Sequence, residues 1–142
     1  MNKTLLLVQD PFGNYVIQYI LDLKTDWVQH QVFGLLTGHF VKLSMGKFSS
    51  NVVEKCLVLL PQEAVAIILK ELSHPDCIAG LLKDSYANYV IQKAVMLEHP
   101  SVLDLVLSIK PHLKTLKDTA YGKKLTAKLQ KKFGLVIADQ VQ

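Results

Sequence analysis

The sequence predicts an all-α protein built as a stack of helical repeats. The first observation is a five-residue pattern (polar, polar, apolar, apolar, polar) that occurs three times at spacings of 36 and 38 residues, as NYVIQ at 14–18, SNVVE at 50–54 and NYVIQ at 88–92. The second is that apolar residues recur at helical spacing through and after each copy. The third is that no segment shows sustained alternation of polar and apolar residues, and no Asn-Gly or Asp-Gly hairpin turn occurs.

Each copy of the pattern is preceded by an aromatic residue and then by a small residue. A fourth copy, 35 residues after the third, keeps both and has Lys123 in its first position. A single unit of this size cannot bury its apolar faces alone, so stacked neighbours bury them jointly. We therefore expect the aromatic, small and central apolar residues to be core; they are Phe12, Gly13, Val16, Ile17, Phe48, Ser49, Val52, Val53, Tyr86, Ala87, Val90, Ile91, Tyr121 and Gly122.

Each unit is predicted to hold two longer helices and one short one. The pattern begins the first helix, in NYVIQYILDLK, SNVVEKCLVLL and NYVIQKAVML. The second begins in WVQHQVFGLL, or close to Pro61 and Pro100, because proline is favoured at helix starts. Short apolar segments (HFVKL, CIAGLL and PHLKTL) then lead to the next copy. The predicted array is a single domain with repeats at 1–36, 37–73 and 74–109 and a degenerate capping repeat at 110–142.

Composition and charge limit the class of protein. Half of the 142 residues are hydrophobic, yet the apolar runs are shorter than the ~18 residues of a membrane span, and the N-terminus lacks the apolar stretch of a signal peptide. Cys56 and Cys77 lie far apart, which suits a reduced, cytoplasmic protein. All sixteen basic residues are lysines, and eight of them fall between Lys110 and Lys132. Such a segment attracts polyanions such as nucleic acid, although charge alone favours a solvated helical face.

Packing does not explain the first, second and fifth positions of the pattern, which are polar. On a helix the first and fifth residues are neighbours on one face, and the second lies about 100° round, at the edge of that face. Because equivalent helices stack side by side, these residues should line up along one surface. We call them the three base-recognition sets: Asn14, Tyr15 and Gln18; Ser50, Asn51 and Glu54; and Asn88, Tyr89 and Gln92.

The three sets have the chemistry to distinguish the bases of single-stranded RNA. An Asn–Gln pair carries amide donors and carbonyl acceptors, which suit the carbonyls and the N3–H of uracil. The Glu54 carboxylate only accepts, so it suits guanine, whose N1–H and exocyclic amine both donate. A tyrosine in the second position offers a flat face on which a base can stack, worth about 1–3 kcal/mol. Single-stranded RNA is the nucleic acid whose base edges are open to such contacts.

At this period, the segments GNYVIQ, SSNVVEKC and ANYVIQK resemble the repeats of the Pumilio (PUF) family, and KPHLKTLKDTAYGKKLTAKL is similar to the segment that closes a PUF domain. The resemblance extends from about Leu5 to Phe133. It implies a right-handed α-solenoid of three-helix repeats that binds single-stranded RNA on its concave face, with one base per repeat. The roles that it implies are U recognition by Asn14 and Gln18, G recognition by Ser50 and Glu54, U recognition by Asn88 and Gln92, and stacking by Tyr15, Asn51 and Tyr89.

The resemblance also implies a target and a role. The target is UGU in the 3′ untranslated regions of messenger RNAs, and the role is post-transcriptional control of mRNA translation and stability. Translational repressor or deadenylase proteins would be the protein partners. The family runs its RNA antiparallel to the protein, but U, G, U reads the same in both directions, so this sequence does not test the polarity.

Two features depart from the family pattern. PUF domains usually hold eight repeats, whereas this chain holds three and a closing piece, so it is a fragment, a truncated homologue or part of an assembly. In the fourth copy, Lys123, Lys124 and Ala127 form no base-recognition set. We expect this copy to cap the stack, with the two lysines as candidate phosphate contacts. If further repeats normally cover the first layer, the apolar residues at 5–8 should be exposed.

A protein-binding solenoid of the HEAT or armadillo type is the main alternative. Its periods are about 40 residues or more, and such a scaffold has no reason to place these polar sets in equivalent helical positions. The tetratricopeptide period of about 34 is nearer, but its units have two helices. An enzyme is disfavoured because the five histidines show no metal-binding spacing and no P-loop or G-x-S-x-G motif occurs. We therefore expect no catalytic residue, no metal and no cofactor.

Overall fold

In the computed structural model, residues 2–134 are described, and their regular structure is entirely helical. This confirms the predicted all-α class. Each of the first three groups has a short helix, then the helix that carries the pattern, then a third helix. The bounds are α1 (Lys3–Val8), α2 (Gly13–Asp22) and α3 (Asp26–Leu36); α4 (Phe40–Ser44), α5 (Ser49–Leu59) and α6 (Gln62–Leu72); and α7 (Ile78–Lys83), α8 (Ala87–Val95) and α9 (Val102–Ile109).

A closing group completes the stack. It has a short 3₁₀ turn (Lys110–His112), α10 (Leu113–Leu116) and the pattern helix α11 (Ala120–Phe133). The last eight residues of the expected capping repeat lie outside the described residues. Among the helices of residues 2–134, none combines the length and the apolar character that crossing a bilayer requires.

The pattern helices form the inner layer of the stack. They pack side by side in the order α2, α5, α8 and α11, and each also packs on the short helix of its own group. On the other side, α6 packs directly against α9. One continuous hydrophobic core therefore runs through all the groups, from Val8 in α1 to Leu129 in α11. This layering places the base-recognition sets on adjacent helices.

The turn before three of the four pattern helices (α2, α8 and α11) supplies side-chain partners for the free amide groups at the helix start. The Asp10 carboxylate accepts from the Phe12 and Gly13 N–H groups at 2.9 and 2.8 Å. These two hydrogen bonds lower the pKa of Asp10, and the bond from Gly13 has the larger effect. Asp84 accepts equivalent bonds, of the same lengths, before α8, and the Thr119 hydroxyl accepts from Gly122 before α11. The turns thus fix where α2, α8 and α11 begin, whereas among residues 2–134 no side chain caps the start of α5.

The small residue at the start of the pattern helix lies where two backbones approach closely. A Cβ placed on Gly13 would lie 2.6 Å from the Leu7 carbonyl oxygen, and one placed on Gly122 would overlap the Leu116 carbonyl oxygen. Both glycines are buried, as are their equivalents Ser49 and Ala87. The short helix can therefore press against the pattern helix only where the side chain is small or absent.

The prediction that the four aromatic residues are core was wrong: none of them is buried, and only Tyr121 packs against the core as a partly buried residue. Phe12 is 80% exposed and Tyr86 is also exposed, whereas Phe48 and Tyr121 are half-buried. The Tyr121 hydroxyl donates to the Lys83 carbonyl of the preceding group. The ring thus lies against the edge of the preceding group rather than between layers. Phe12 directly precedes the first pattern helix, and within residues 2–134 no earlier group exists for it to contact.

The same boundary explains a second correction. Val16 is 51% exposed, although its equivalents Val52 and Val90 and the other central apolar residues are buried. No pattern helix precedes α2 in the described chain, so nothing covers this side of it. Leu6 and Leu7 are exposed as expected.

The expectation of exposure failed for Val8, which is fully buried, and for Leu5, which is partly buried. The reason is that α1 packs against both α2 and α3, so one side of it is covered within its own group.

The Gly122→Ala variant should lower the free energy of unfolding by about 1–3 kcal/mol, because its methyl group would be forced against the Leu116 carbonyl. The matched control is Gly34→Ala in α3, where a Cβ meets no atom within 4 Å. That variant should stabilise the protein by up to about 1 kcal/mol, since glycine disfavours the helix. Urea denaturation measures both, and equal effects of the two substitutions would contradict the close approach at Gly122.

Candidate functional site

The first two base-recognition sets come together in one cleft between α2 and α5. Its volume is about 480 Å³, and Tyr15, Gln18, Asn51 and Glu54 line it from the predicted sets. Lys55 of α5 and Lys93 of α8 complete its polar lining. The third set lies on α8, the next helix in the layer. Side chains that are 36 and 38 residues apart in sequence therefore form one surface.

The first-position residues are buried beneath this surface. Asn14 is fully buried, and its amide nitrogen donates to the Asp10 and Pro11 carbonyls at 2.9 Å each. The Asn88 amide likewise donates to the Asp84 carbonyl at 2.6 Å. These side chains turn back toward the turn that precedes their helix. Both N–H groups of Asn14 are already used and its side chain is buried, so in this structure it supports the surface from beneath and does not itself face the cleft.

The fifth-position glutamines cover the asparagines. Gln18 Nε2 donates to Asn14 Oδ1 at 3.0 Å, and Gln92 Nε2 donates to Asn88 Oδ1 at 3.1 Å. In the first and third sets, the side chains thus form a short hydrogen-bond chain that runs from the glutamine to the asparagine and then to a carbonyl of the preceding turn. Gln18 retains one N–H and its Oε1 toward the cleft, a donor and an acceptor side by side.

The second-position residues are the most accessible of the three. Tyr15 is 65% exposed and Tyr89 is 53% exposed, and Asn51 between them is exposed as well. No neighbouring ring covers either tyrosine face within residues 2–134. These faces are open for the stacking that the sequence predicts.

The middle set is built differently because Ser50 and Glu54 do not form an amide chain. The Ser50 hydroxyl points back to the Lys47 carbonyl, at 3.5 Å. Glu54 is half-buried, and this burial raises the pKa of its carboxyl above the ordinary glutamate value. The ammonium groups of Lys93 and Lys128 partly oppose that rise. Lys93 Nζ lies 3.9 Å from Glu54 Oε1.

Sequence reasoning missed the residue that directly follows the pattern. It is Lys55, Lys93 and Lys128 in the last three copies, and Tyr19 in the first. Lys93 reaches the fifth position of the preceding unit, and so does Lys128, whose Nζ donates to Gln92 Oε1 at 2.9 Å. Lys55 instead pairs with Asp22, at 3.1 Å. A lysine recurring in this position was the available sequence signal.

The other candidate residues lie apart from this surface. Lys123 and Lys124 are exposed on α11 and do not line the cleft. Cys56 is buried in the core, and burial raises the pKa of its thiol to about 12. No cluster of His, Cys, Asp or Glu that could hold a metal ion occurs in the part of the chain that the structure describes.

Comparison with known proteins identifies the relatives of this chain. Pumilio homolog 12 of Arabidopsis thaliana is 41% identical over 132 residues, which is 92% of this chain and 22% of that protein. Putative pumilio homolog 7, chloroplastic, of the same plant is 40% identical over 124 residues, or 87% of this chain and 19% of that protein. The chain therefore spans about a fifth of the length of the curated relatives it matches.

Solved structures show the same fold. The Puf4 RNA binding domain bound to an HO endonuclease RNA 3′ UTR recognition sequence matches 89% of this chain with a TM-score of 0.80 and 32% identity; the match covers 42% of that domain. The Puf3 RNA binding domain bound to a Cox17 RNA 3′ UTR recognition sequence (site A) matches 99% of this chain with a TM-score of 0.83 and 26% identity, and 40% of that domain is covered.

A family model described as the Pumilio-family RNA binding repeat matches residues 3–36, 39–73 and 77–96. These segments contain all three base-recognition sets, and together they cover more than half of the sequence. The family is one of binding repeats and not of enzymes. The chain belongs to the Pumilio family of RNA-binding repeat proteins.

Proposed function

We propose that this chain binds single-stranded RNA that contains UGU, through one base-recognition set per base. The observation that carries the proposal is the shared surface of α2, α5 and α8, where two amide sets flank a carboxylate set. Membership of the family and the RNA-bound state of the solved relatives support it. They favour RNA binding over the HEAT or armadillo type of protein scaffold.

Each set has a defined role in this proposal. Gln18 and Gln92 contact uracil, with Asn14 and Asn88 holding them from beneath; Glu54 accepts the N1–H and amine of guanine, with Ser50 beside it. The second-position residues Tyr15, Asn51 and Tyr89 stack between successive bases. Lys123 and Lys124, exposed on the closing group, contact phosphate. The repeat boundaries at 1–36, 37–73, 74–109 and 110–142 belong to the same proposal.

Three sets limit the affinity of this chain. Stacking at about 1–3 kcal/mol per base gives roughly 3–9 kcal/mol before ordering costs are subtracted. A micromolar complex requires about 8 kcal/mol. Binding by these repeats alone should therefore be in the micromolar range or weaker.

Titration of labelled RNAs containing UGU, UAU or ACA at fixed moderate salt tests the proposal. UGU should bind several-fold more tightly than UAU and ACA, because only guanine offers two donors to Glu54. Neutralising Lys123 and Lys124 to glutamine should weaken all three RNAs alike and reduce the salt dependence. Equal affinity for all three RNAs would leave only a lysine-driven polyanion site.

The double variant Ser50→Asn, Glu54→Gln is the matched control for the same titration. It gives the middle unit the first- and fifth-position residues found in α2 and α8, so the preference should shift from UGU to UUU. The fold is expected to tolerate the change, because the same residues occupy equivalent positions twice in this chain. A variant that still prefers UGU would show that this unit does not select the middle base.

The preference for guanine should also depend on pH. Burial raises the pKa of Glu54, so its carboxyl takes up a proton at a higher pH than an ordinary glutamate does. The protonated carboxyl loses an acceptor for guanine. Lowering the pH from about 7.5 toward 5 should therefore reduce the ratio of UGU to UUU affinity. In the Glu54→Gln variant this affinity ratio should not change with pH. An equal decline of the ratio in the wild-type and variant proteins would contradict the role of Glu54 protonation.

The resemblance implies protein partners that are repressors or deadenylases acting on cytoplasmic messenger RNAs. We propose that such partners bind on the outer side of the stack. A groove lies there between α3 and α6; four of its lining residues are polar or charged, and its apolar lining includes Phe33, Pro61 and the 69% exposed Trp27. Trp27→Ala should weaken binding of a purified partner at least tenfold and leave the UGU affinity unchanged. Unaltered partner binding would place that contact elsewhere.

A further inference from the structure

The two uracil sets have identical residues but different surroundings. At α2, Gln18 Oε1 has no hydrogen-bond partner among residues 2–134, and Lys55 of the next unit is engaged by Asp22. At α8, Gln92 is only 4% exposed, and its Oε1 accepts from Lys128 of the closing group. The same sequence, NYVIQ, therefore presents two different hydrogen-bonding edges.

The closing group is anchored so that Lys128 reaches Gln92. Lys132, four residues later and so on the same face of α11, donates to the Val95 and Leu97 carbonyls where α8 ends. A cation in this place is favoured by the unpaired carbonyls of a helix C-terminus. Lys132 thus fixes α11 against α8, and Lys128 lies one turn nearer the base-recognition surface.

We propose, resting on the function proposed above, that Lys128 is a specificity-determining positioning residue for the third set. Lys128 holds Gln92 Oε1, and Asn88 accepts one Gln92 N–H. The groups left for a base at this set are then mainly donors: the second Gln92 N–H and the remaining hydrogens of the Lys128 ammonium.

A donor-rich edge discriminates between uracil and adenine. Uracil presents two carbonyl acceptors, one on each side of its N3–H, whereas adenine presents one ring acceptor beside an amine that itself donates. Near Lys128 that amine would meet an ammonium group instead of the amide oxygen it needs. At Gln18 the amide oxygen is open, so adenine can pair with the amide there through one donor and one acceptor. The third set should therefore reject adenine more strongly than the first set does.

A recurring contact supports this role. Lys93 and Lys128 each directly follow the pattern in their own unit, and each contacts the fifth-position residue of the preceding unit. Lys93 contacts Glu54, and Lys128 contacts Gln92. In both cases a lysine of the following unit alters the hydrogen-bonding group that faces the base. The residue after the pattern thus acts across the boundary between units.

The test compares UGU with AGU and UGA for the wild-type chain and for Lys128→Met. The end that the third set contacts is identified independently with Asn88→Ser, Gln92→Glu, which should change the preference at that end to guanine. At that end, Lys128→Met should reduce the preference for uracil over adenine by about tenfold, the loss expected for a charge-assisted hydrogen bond. At the other end the preference should stay within twofold of the wild type.

Two further variants separate positioning from charge. Lys131→Met removes an exposed lysine of the same helix and should leave both preferences unchanged, and Lys128→Arg should retain most of the discrimination. Thermal unfolding checks that each variant is folded. If Lys128→Met weakened all RNAs equally with unchanged ratios, Lys128 would be a phosphate contact and the proposal would be overturned. If the wild-type chain itself failed to distinguish the RNAs, the proposed function would fail instead.

Discussion

The side-by-side packing of the pattern helices is the constraint on which the rest of the structure depends. It lines up residues that are 36 and 38 positions apart on one surface. Within each group, the short helix packs on the pattern helix so closely that Gly13 and Gly122 have no room for a side chain. A stack of this kind has buried faces only where a neighbour exists. The exposure of Val16, Leu6 and Leu7 on the first layer follows from the same rule, since no earlier group covers them within residues 2–134.

The base-recognition sets inherit their geometry from the turns. Asp10 and Asp84 use their carboxylates to fix the helix start and their carbonyls to accept the asparagine amides. Each asparagine then holds a glutamine. Local chain chemistry therefore orients the side chain that faces the cleft, and it does so before any RNA is present. Such preorganisation would reduce the ordering cost of the three-base recognition proposed above.

Much of the fold could be predicted from the sequence, because similar repeats fold and pack in the same way. The helical groups, the buried small residues and five of the six central apolar residues follow from period and pattern. The prediction failed at Phe12 and Val16, whose neighbours would belong to an earlier unit, and at Tyr86, which is exposed although an earlier unit is present. The contacts of Lys93 and Lys128 could not be predicted, because they join residues 39 and 36 positions apart through side chains whose reach depends on the packed structure.

The two copies of NYVIQ show why residue identity alone does not define a base-recognition set. Gln18 and Gln92 make the same bond to an asparagine, yet only Gln92 has its amide oxygen held by a lysine. The difference arises in the following unit, where Lys55 is drawn to Asp22 whereas Lys128 has no acid to pair with at the equivalent place, which Met96 occupies. Under the proposed function, the selectivity of one unit therefore depends on the charge pattern of the next. A closing group without a base-recognition set of its own would then still take part in recognition, through the residue that it places on its neighbour.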